Sequence, residues 1–202
     1  MYWDKFYKKI KQKRLPQSMF ANFVLKKLKK NFTLVDFGCG NGRDTFFFSK
    51  HIKKTIGIDS CKYVIKENNL NKNKKVQFYN YNIKNRNLYS KLKNIIPPSG
   101  KTIVYARFFL HTLKDNEIKK FLTLAKKLIN KNGNIYVEYR TDKDKDNKKT
   151  FNNHYRNFIN PKNLENILNK LNLKSIYFKE GRGMAKFKKE DAYVARNIIQ
   201  LK

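Results

Sequence analysis

The segment Phe32-Thr33-Leu34-Val35-Asp36-Phe37-Gly38-Cys39-Gly40-Asn41-Gly42 decides the fold. Its apolar start predicts a buried strand, and its three alternating glycines predict a tight turn into a helix beginning at Arg43. Glycine adopts backbone angles that other residues avoid and lets the backbone close on a ligand. The general dinucleotide-binding pattern would have a glycine at position 43, where this chain has Arg43. The segment therefore predicts a nucleotide-binding turn of a different kind.

Size and composition indicate a folded domain. The 202 residues are 40% hydrophobic and 14% aromatic, which is enough for a packed core. The two cysteines, Cys39 and Cys61, suggest neither a disulfide framework nor a metal site. No apolar run approaches the roughly 20 residues that span a bilayer, and the first residues do not form a secretory signal. We therefore expect a cytoplasmic protein with no membrane span and no metal.

The net charge is unusually high. The chain has 47 Lys and Arg against 15 Asp and Glu, which gives a formal net charge of +32. The lysines are spread along the whole chain among many asparagines, as an AT-rich coding sequence would produce. We therefore interpret most of the charge as solvated surface. The alternatives are an anionic substrate or incidental binding of polyanions.

Strand and helix patterns alternate along the chain. The predicted strands are Phe32–Phe37, Thr55–Ile58, Val76–Tyr79, Lys101–Tyr105, Asn134–Tyr139 and a closing pair, Leu173–Lys179 and Ala192–Leu201. The predicted helices are Arg43–His51, Tyr63–Asn69, Leu88–Lys93, Asn116–Asn130 and Pro161–Leu171, with a charged loop without core contacts at Thr141–Lys149. This order predicts an α/β fold with a doubly wound, mostly parallel, seven-stranded sheet and helices on both faces. We expect a single domain over 1–202, with a helical segment over 1–30 and a binding core over 31–202.

Asp59 ends the second predicted strand, about 20 residues after the glycine loop. In a doubly wound sheet this is where a carboxylate meets the ribose hydroxyls of a nucleotide. The alternative interpretation of Asp59 is that it caps the next helix. The alternative interpretation of Asp36 is that it only helps to form the turn.

The acidic-x-Gly-x-Gly-x-Gly run from Asp36 resembles motif I of the class I S-adenosylmethionine (SAM) methyltransferases. Two further segments, Arg107-Phe108-Phe109-Leu110-His111 and His154-Tyr155-Arg156, resemble small bacterial members associated with capsule or surface-polysaccharide and small-metabolite modification. The resemblance continues in 18–21, 137–142, 180–185 and 190–196, so it covers nearly the whole chain. It implies a Rossmann-like methyltransferase fold that binds SAM and releases S-adenosylhomocysteine (SAH).

The resemblance also implies a set of cofactor contacts. Asp36 would lie near the amino-acid end of SAM, and Ser60 would border the adenine pocket. Asn82 stands where many members have an Asp that accepts a hydrogen bond from the adenine amino group, so it departs from the family pattern. The full set of expected cofactor residues is Asp36, Gly38, Cys39, Gly40, Asn41, Gly42, Arg43, Asp59, Ser60, Asn82, Ile83 and Ala106.

Five candidate catalytic residues fall at strand ends or in loops over the carboxyl edge of the sheet: Arg107, His111, Arg140, His154 and Arg156. A cationic cluster suits an anionic acceptor, because guanidinium groups bind phosphate with two hydrogen bonds. Alternatively, His111 or His154 is the general base for a sugar hydroxyl. For Arg140 and Arg156 the other interpretation is an ion pair with Glu138 or Asp142.

The N-terminal segment is rich in aromatic residues, including Trp3, Phe6 and Tyr7. We expect it to fold over the cofactor as a lid, with docking on a membrane surface as the alternative.

The leading hypothesis is a SAM-dependent O-methyltransferase acting on a small anionic metabolite of capsule or envelope assembly. An RNA or cap methyltransferase is the second hypothesis, since the charge permits a nucleic-acid partner, but no RNA-binding module is recognisable. The third is a non-catalytic SAM-binding subunit. The sequence makes no prediction of the oligomeric state.

Overall fold

A computed structural model describes residues 2–10, 15–129, 133–147 and 155–202. Its main feature is a seven-stranded sheet with the order β3-β2-β1-β4-β5-β9-β6. The first five strands of this order are parallel, and β9 runs antiparallel to both β5 and β6. The strands are β1 Thr33–Phe37, β2 Lys54–Asp59, β3 Val76–Asn80, β4 Thr102–Arg107, β5 Asn134–Arg140, β6 Leu173–Gly181, β7 Lys186–Phe187, β8 Glu190–Asp191 and β9 Val194–Leu201.

Two helices precede β1, and the others lie between successive strands up to β6. They are α1 Tyr2–Ile10, α2 Met19–Leu25, α3 Arg43–Ser49, α4 Lys62–Leu70, α5 Leu88–Ile95, α6 Asp115–Leu128 and α7 Pro161–Lys170. The N-cap side chains of two of them hold the first turn: Ser18 accepts from the backbone N–H of Ala21, and Asn160 from those of Lys162 and Asn163.

The strands are buried on both faces. Along β1, Leu34 packs with α2 and α3 residues such as Phe20 and Phe48, whereas its neighbour Val35 packs with α6 residues such as Phe121. Successive side chains of a strand point to opposite faces, so each central strand supplies two cores. The carboxyl ends of the parallel strands therefore meet at one edge, which is where ligands bind in this architecture.

The predicted α/β architecture is confirmed, with two local differences. The final strand begins at Val194 rather than Ala192, because a short hairpin formed by β7 and β8 precedes it. The loop predicted to lack core contacts contains a short 3₁₀ helix whose Asp144 is fully buried. Its carboxylate accepts hydrogen bonds from the Tyr193 backbone N–H and the Asn147 side chain, which replace the water that it loses.

Parts of two predicted helical or loop segments, at 130–132 and 148–154, lie outside the described residues. Within the described ranges, no helix is both long enough and apolar enough to cross a bilayer.

Candidate active site

The glycine loop turns tightly between β1 and α3. Gly38, Gly40 and Gly42 have φ values of +73°, +51° and +74°, which favour glycine. A Cβ atom on Gly38 would lie 2.7 Å from Cδ2 of Phe109, and one on Gly42 would lie 2.8 Å from the Phe46 ring. The loop therefore needs glycine for both its backbone angles and its close packing.

The Asp36 side chain, near the end of β1, is buried beneath this loop. It is 3% exposed, and its carboxylate accepts a hydrogen bond of 2.6 Å from the Thr45 hydroxyl on α3. Burial raises the pKa of Asp36 to about 8 despite that hydrogen bond, and the charges of Asp44 and Asp59 act in the same direction. Asp36 therefore joins β1 to the first turn of α3, and the cavity described below reaches it.

Two side chains from the neighbouring β2–α4 unit hold Gly40. Asp59 Oδ2 accepts its backbone N–H at 2.9 Å, and Asn68 Nδ2 donates to its carbonyl oxygen at 2.8 Å. Asp59 Oδ1 also accepts the backbone N–H of Cys61, the residue before α4, at 2.8 Å. Asp59 thus fixes the glycine loop and the start of α4 together, and burial raises its pKa.

Helix α1 lies against the same loop. The Tyr7 hydroxyl occupies the space that a Cβ on Gly40 would need. Burial, followed by the nearby charge of Asp59, raises the pKa of the Tyr7 phenol, so this hydroxyl stays protonated. Asp4 accepts a hydrogen bond of 3.3 Å from the Cys61 thiol, which ties α1 to the start of α4.

A cavity of about 540 Å³ opens at the carboxyl edge between these elements. This volume is typical of a small-molecule site. One end is formed by the glycine loop and α1, with Asp36, Gly38, Cys39, Gly40, Asn41, Asp59, Trp3, Phe6 and Tyr7. The other end is formed by the loop after β4 and the β7–β8 hairpin, with Arg107, Phe108, His111, Arg140, Arg156, Phe187 and Glu190.

The remaining expected cofactor residues divide into two groups. Ser60, Asn82, Ile83 and Arg43 line the cavity. Gly42 and Ala106 are not among the lining residues, and Ala106 lies in the core face of β4. Arg43 also donates to the carbonyl oxygens of Pro16 and Gln17, so it fastens the segment before α2 to the start of α3.

Phe108 forms the centre of the opposite end. Its φ of +54° is rare for a bulky residue, and its ring lies close to two guanidinium groups. The Cζ atoms of Arg107 and Arg140 are 4.5 Å and 5.3 Å from the ring centroid. These distances permit cation–π attraction with both arginines.

Glu138 of β5 is fully buried between two arginines. Its Oε1 accepts from Arg107 Nε at 3.0 Å, and its Oε2 accepts from Arg196 Nε at 2.7 Å. Burial raises the pKa of Glu138, and the two guanidinium charges act against that rise. Glu138 therefore fixes Arg107 at the cavity wall.

Arg140 is paired, but not with the partners expected from the sequence. Its guanidinium binds Asp144 and Glu190 rather than Glu138 or Asp142. Arg140 lies two positions after Glu138 on the same face of β5, but Arg107 and Arg196 already occupy the Glu138 carboxylate. Asp144 lies in the short 3₁₀ helix after β5 and Glu190 lies in β8, so Arg140 ties the β7–β8 hairpin to β5.

His111 is 4% exposed and lines the cavity beside Phe108. Its Nδ1 accepts the backbone N–H of Arg140 at 3.4 Å. A neutral imidazole that accepts at Nδ1 carries its proton on Nε2. Arg156 also lines the cavity, whereas His154 lies outside the described residues.

Sequence reasoning missed three parts of the site. Asn68 carries no sequence signal, since an asparagine within a helix is common. Asp44 accepts from the Ser18 backbone N–H at 2.8 Å, the Ser18 hydroxyl at 2.6 Å and the Tyr105 hydroxyl at 2.7 Å. Its position in the first turn of α3 was the available signal. Glu190 was recognised only as part of a similar segment.

The chain belongs to a methyltransferase family. A family model described as "Methyltransferase domain" matches residues 7–177. A comparison with curated proteins finds no match.

Solved structures share the fold at low sequence identity. A SAM-dependent methyltransferase from Anabaena variabilis is 16% identical, with a TM-score of 0.75, covering 99% of this chain and 93% of that chain. A SAM-dependent methyltransferase from Clostridium acetobutylicum is 12% identical, with a TM-score of 0.68, covering 99% and 98%. A structure of DhpI with SAM and HEP is 13% identical, with a TM-score of 0.60, covering 89% and 83%.

The protein is a SAM-dependent methyltransferase of class I, and SAM is its cofactor. The site fits this cofactor. The glycine loop leaves no room for side chains, the half-buried carboxylate of Asp59 lies at its edge, and the cavity continues from there to the cationic end.

Proposed function

We propose that the enzyme O-methylates a small anionic metabolite, bound by Arg107, Arg156 and His111 opposite the glycine loop. The single observation that carries this proposal is the position of Arg107. Glu138 holds its Nε, and the residue lines the cavity. Among the described residues, neither terminal nitrogen of this guanidinium forms a hydrogen bond or an ion pair, although the group also contacts the Phe108 ring. Such a group suits bidentate binding of a phosphoryl or carboxylate group.

The tautomer of His111 supports an acceptor that is already ionised. With Nδ1 accepting from Arg140, the neutral ring carries its proton on Nε2 and donates from there. A donor stabilises an anionic oxygen, whereas a general base would need an unprotonated nitrogen towards the substrate. An ionised phosphoryl or carboxylate oxygen needs no base.

Bound SAM supplies an electrophilic methyl group, which is transferred by in-line displacement. A bond forms between the acceptor oxygen and the methyl carbon while the carbon–sulfur bond breaks. The negative oxygen and the positive sulfonium are both neutralised, and no proton moves. The residues of this chain then have mainly a positioning task, which is to hold the anion in line with the methyl group and to exclude water.

In this proposal Asp36, Asp59 and the glycine loop hold the cofactor, with Ser60, Asn82 and Ile83 around its adenine. Arg140 positions the acceptor wall, because both of its terminal nitrogens bind carboxylates. Glu190 connects that wall to β5.

The test measures SAH release from SAM with a panel of acceptors: a phosphate monoester, a phosphonate, a carboxylate and an uncharged sugar. We expect turnover with ionised acceptors and none with the uncharged sugar. Arg107→Gln should lower kcat/KM by about 10- to 150-fold, because a hydrogen bond to a charged group contributes about 1.5–3 kcal/mol. The affinity for SAH should not change.

Arg86→Gln is the matched control, since Arg86 is exposed and lies outside the cavity. Preferred methylation of the uncharged sugar, or an equal loss of activity in both variants, would contradict the proposal. His111→Gln retains a donor and should keep more activity than His111→Phe.

We further propose that the acceptor is a precursor of capsule or another surface polysaccharide, such as a phosphate ester, a phosphoramidate or a nucleotide-linked sugar. The similar segments around Arg107 and Arg156 support this class. Such acceptors and SAM are cytoplasmic metabolites, so we propose the cytoplasm as the location. Mass spectrometry of polysaccharide from cells lacking the gene should show the loss of a methyl group, and unchanged methylation would contradict this role.

We also propose that 1–30 acts as a lid on the core formed by 31–202. Trp3, Phe6 and Tyr7 line the cavity, and Trp3 is the only tryptophan of the chain. Its fluorescence should therefore change when SAH binds, with Trp3→Phe as the control. An unchanged emission spectrum at saturating SAH would contradict the lid.

A further inference from the structure

At the end of the sheet opposite the cavity, four adjacent parallel strands begin in register. In the parallel register, Thr33 of β1 pairs with Lys54 of β2 and with Thr102 of β4, and Thr55 of β2 pairs with Val76 of β3. Four adjacent strands therefore begin within about one residue of each other. We call the residues that lead into these strands, together with the ends of α2, α3 and α4, the amino edge.

The amino edge is rich in lysine. Its lysines are Lys26, Lys27, Lys29, Lys30, Lys50, Lys53, Lys54, Lys72, Lys74, Lys75 and Lys101, and all but Lys54 and Lys101 are exposed. The segments 19–35, 45–58 and 68–114 contain no Asp or Glu. Of the acidic residues that flank these segments, Glu67 lies in the last turn of α4, next to the amino edge. The charge is therefore not evenly spread: the acidic residues are concentrated at the opposite edge.

Backbone contacts bring these lysines side by side. The Lys53 N–H donates to the Lys30 carbonyl at 2.7 Å, the Lys75 carbonyl accepts from the Thr55 N–H of β2, and the Lys101 carbonyl accepts from the Thr33 N–H of β1. Adjacent strands are about 4.8 Å apart. Burial and the nearby charge of Lys29 lower the pKa of Lys101, as expected for crowded cations.

The amino edge also lacks neutralising partners. Among the described residues, none of its lysines forms an ion pair with a carboxylate, whereas the ion pairs that are present lie at the cavity end, as between Lys84 and Glu117. Clustered cations repel each other unless an external anion approaches them. The arrangement therefore favours an extended anionic partner.

We propose that the amino edge docks on a membrane surface of anionic lipids, with the cavity facing away from the bilayer. Two observations favour lipid over nucleic acid. The four strands begin in register, so the lysines before them are spread across the width of the sheet, which suits a broad anionic surface. Leu70 at the end of α4 is 73% exposed among these lysines, while no Phe, Tyr or Trp side chain of the described amino edge is exposed for stacking on bases.

The test is co-sedimentation with phosphatidylglycerol and with phosphatidylcholine vesicles at an ionic strength of about 0.15 M. The wild type should bind only the anionic vesicles. A lysine near an anionic surface contributes about 1 kcal/mol, or about fivefold in affinity. Replacing Lys29, Lys30, Lys53 and Lys75 by glutamine should therefore lower binding by roughly 100-fold or more. Leu70→Asn should lower it with no change in charge.

The control variant replaces Lys62, Lys119, Lys120 and Lys162 by glutamine, which removes the same charge from exposed positions elsewhere. It should keep most of the vesicle binding, and both variants should keep the wild-type affinity for SAH. Equal losses in the two variants would show that net charge alone acts and would overturn the proposal. The absence of vesicle binding would also overturn the proposal. Binding of duplex RNA through the same lysines, with displacement of the vesicles, would overturn it as well.

Discussion

Replacing Gly40 by alanine tests the physical basis of the cofactor site. Gly40 has a φ of +51°, and a Cβ there would collide with the Tyr7 hydroxyl. A left-handed backbone costs a residue with a side chain about 1–2 kcal/mol, and overfilling a packed contact costs about 1–3 kcal/mol. Gly40→Ala should therefore lower the free energy of unfolding by about 2–5 kcal/mol.

Two further variants separate these contributions. Gly183 has a φ of +78° and nothing within 4 Å of an added Cβ, so Gly183→Ala should lose only about 1–2 kcal/mol. Tyr7→Phe removes the colliding hydroxyl and leaves Cζ at 3.3 Å, so it should restore part of the stability lost in Gly40→Ala.

Urea denaturation measures the stabilities, and isothermal titration calorimetry measures SAH binding. We expect Gly40→Ala to weaken SAH binding at least tenfold, because the new methyl group lies where the loop must approach the ligand, whereas Gly183→Ala should bind normally. Normal SAH binding by Gly40→Ala would refute the assignment of this loop. A stability loss equal to that of Gly183→Ala, unaffected by Tyr7→Phe, would refute the steric argument.

Three further predictions concern buried polar groups. Glu138→Gln leaves the buried Arg196 and the partly buried Arg107 without their carboxylate and should cost about 3–5 kcal/mol in urea denaturation. The exposed Glu67→Gln should change stability by less than about 0.5 kcal/mol. Asp36 has a folded-state pKa of about 8 against 3.8 for an ordinary Asp, so between these pH values the folded protein binds more protons than the unfolded chain does. The free energy of unfolding should therefore fall as the pH rises through this range. An equally steep fall of this free energy with pH in Asp36→Asn would contradict the assignment. Asn68→Ala removes the donor to the Gly40 carbonyl and should weaken SAH binding in calorimetry, while the exposed Asn71→Ala should not.

Much of the fold follows from local sequence. The apolar run before Asp36 predicts β1, and the helical spacing of Ile118, Phe121 and Leu122 predicts the buried face of α6, because each pattern matches the period of its element. The β7–β8 hairpin was not predicted, since two-residue strands carry no periodic signal.

The site was predictable to a smaller extent. The glycine loop and Asp59 could be found because backbone angles and strand ends are local properties. The pairing of Arg140 with Glu190 could not, because Glu190 lies in β8, 50 residues further along the chain, and only folding brings the two together. Asp144 is only four residues from Arg140, but its position depends on the short 3₁₀ helix after β5, which was not predicted. The role of Asn68 also depends on the fold, because Asn68 and Gly40 are 28 residues apart in the sequence.

By itself, the sequence determined the alternating order of strands and helices and the bend after Asp36, since both depend on near neighbours in the chain. Only the tertiary structure decided which charges are neutralised. It buried Glu138 between two arginines. Within the described ranges, it left the lysines before β1, β2, β3 and β4 without ion pairs to carboxylates. The physical reason is that ion pairing depends on distances between side chains far apart in sequence, and these distances exist only once the sheet is assembled.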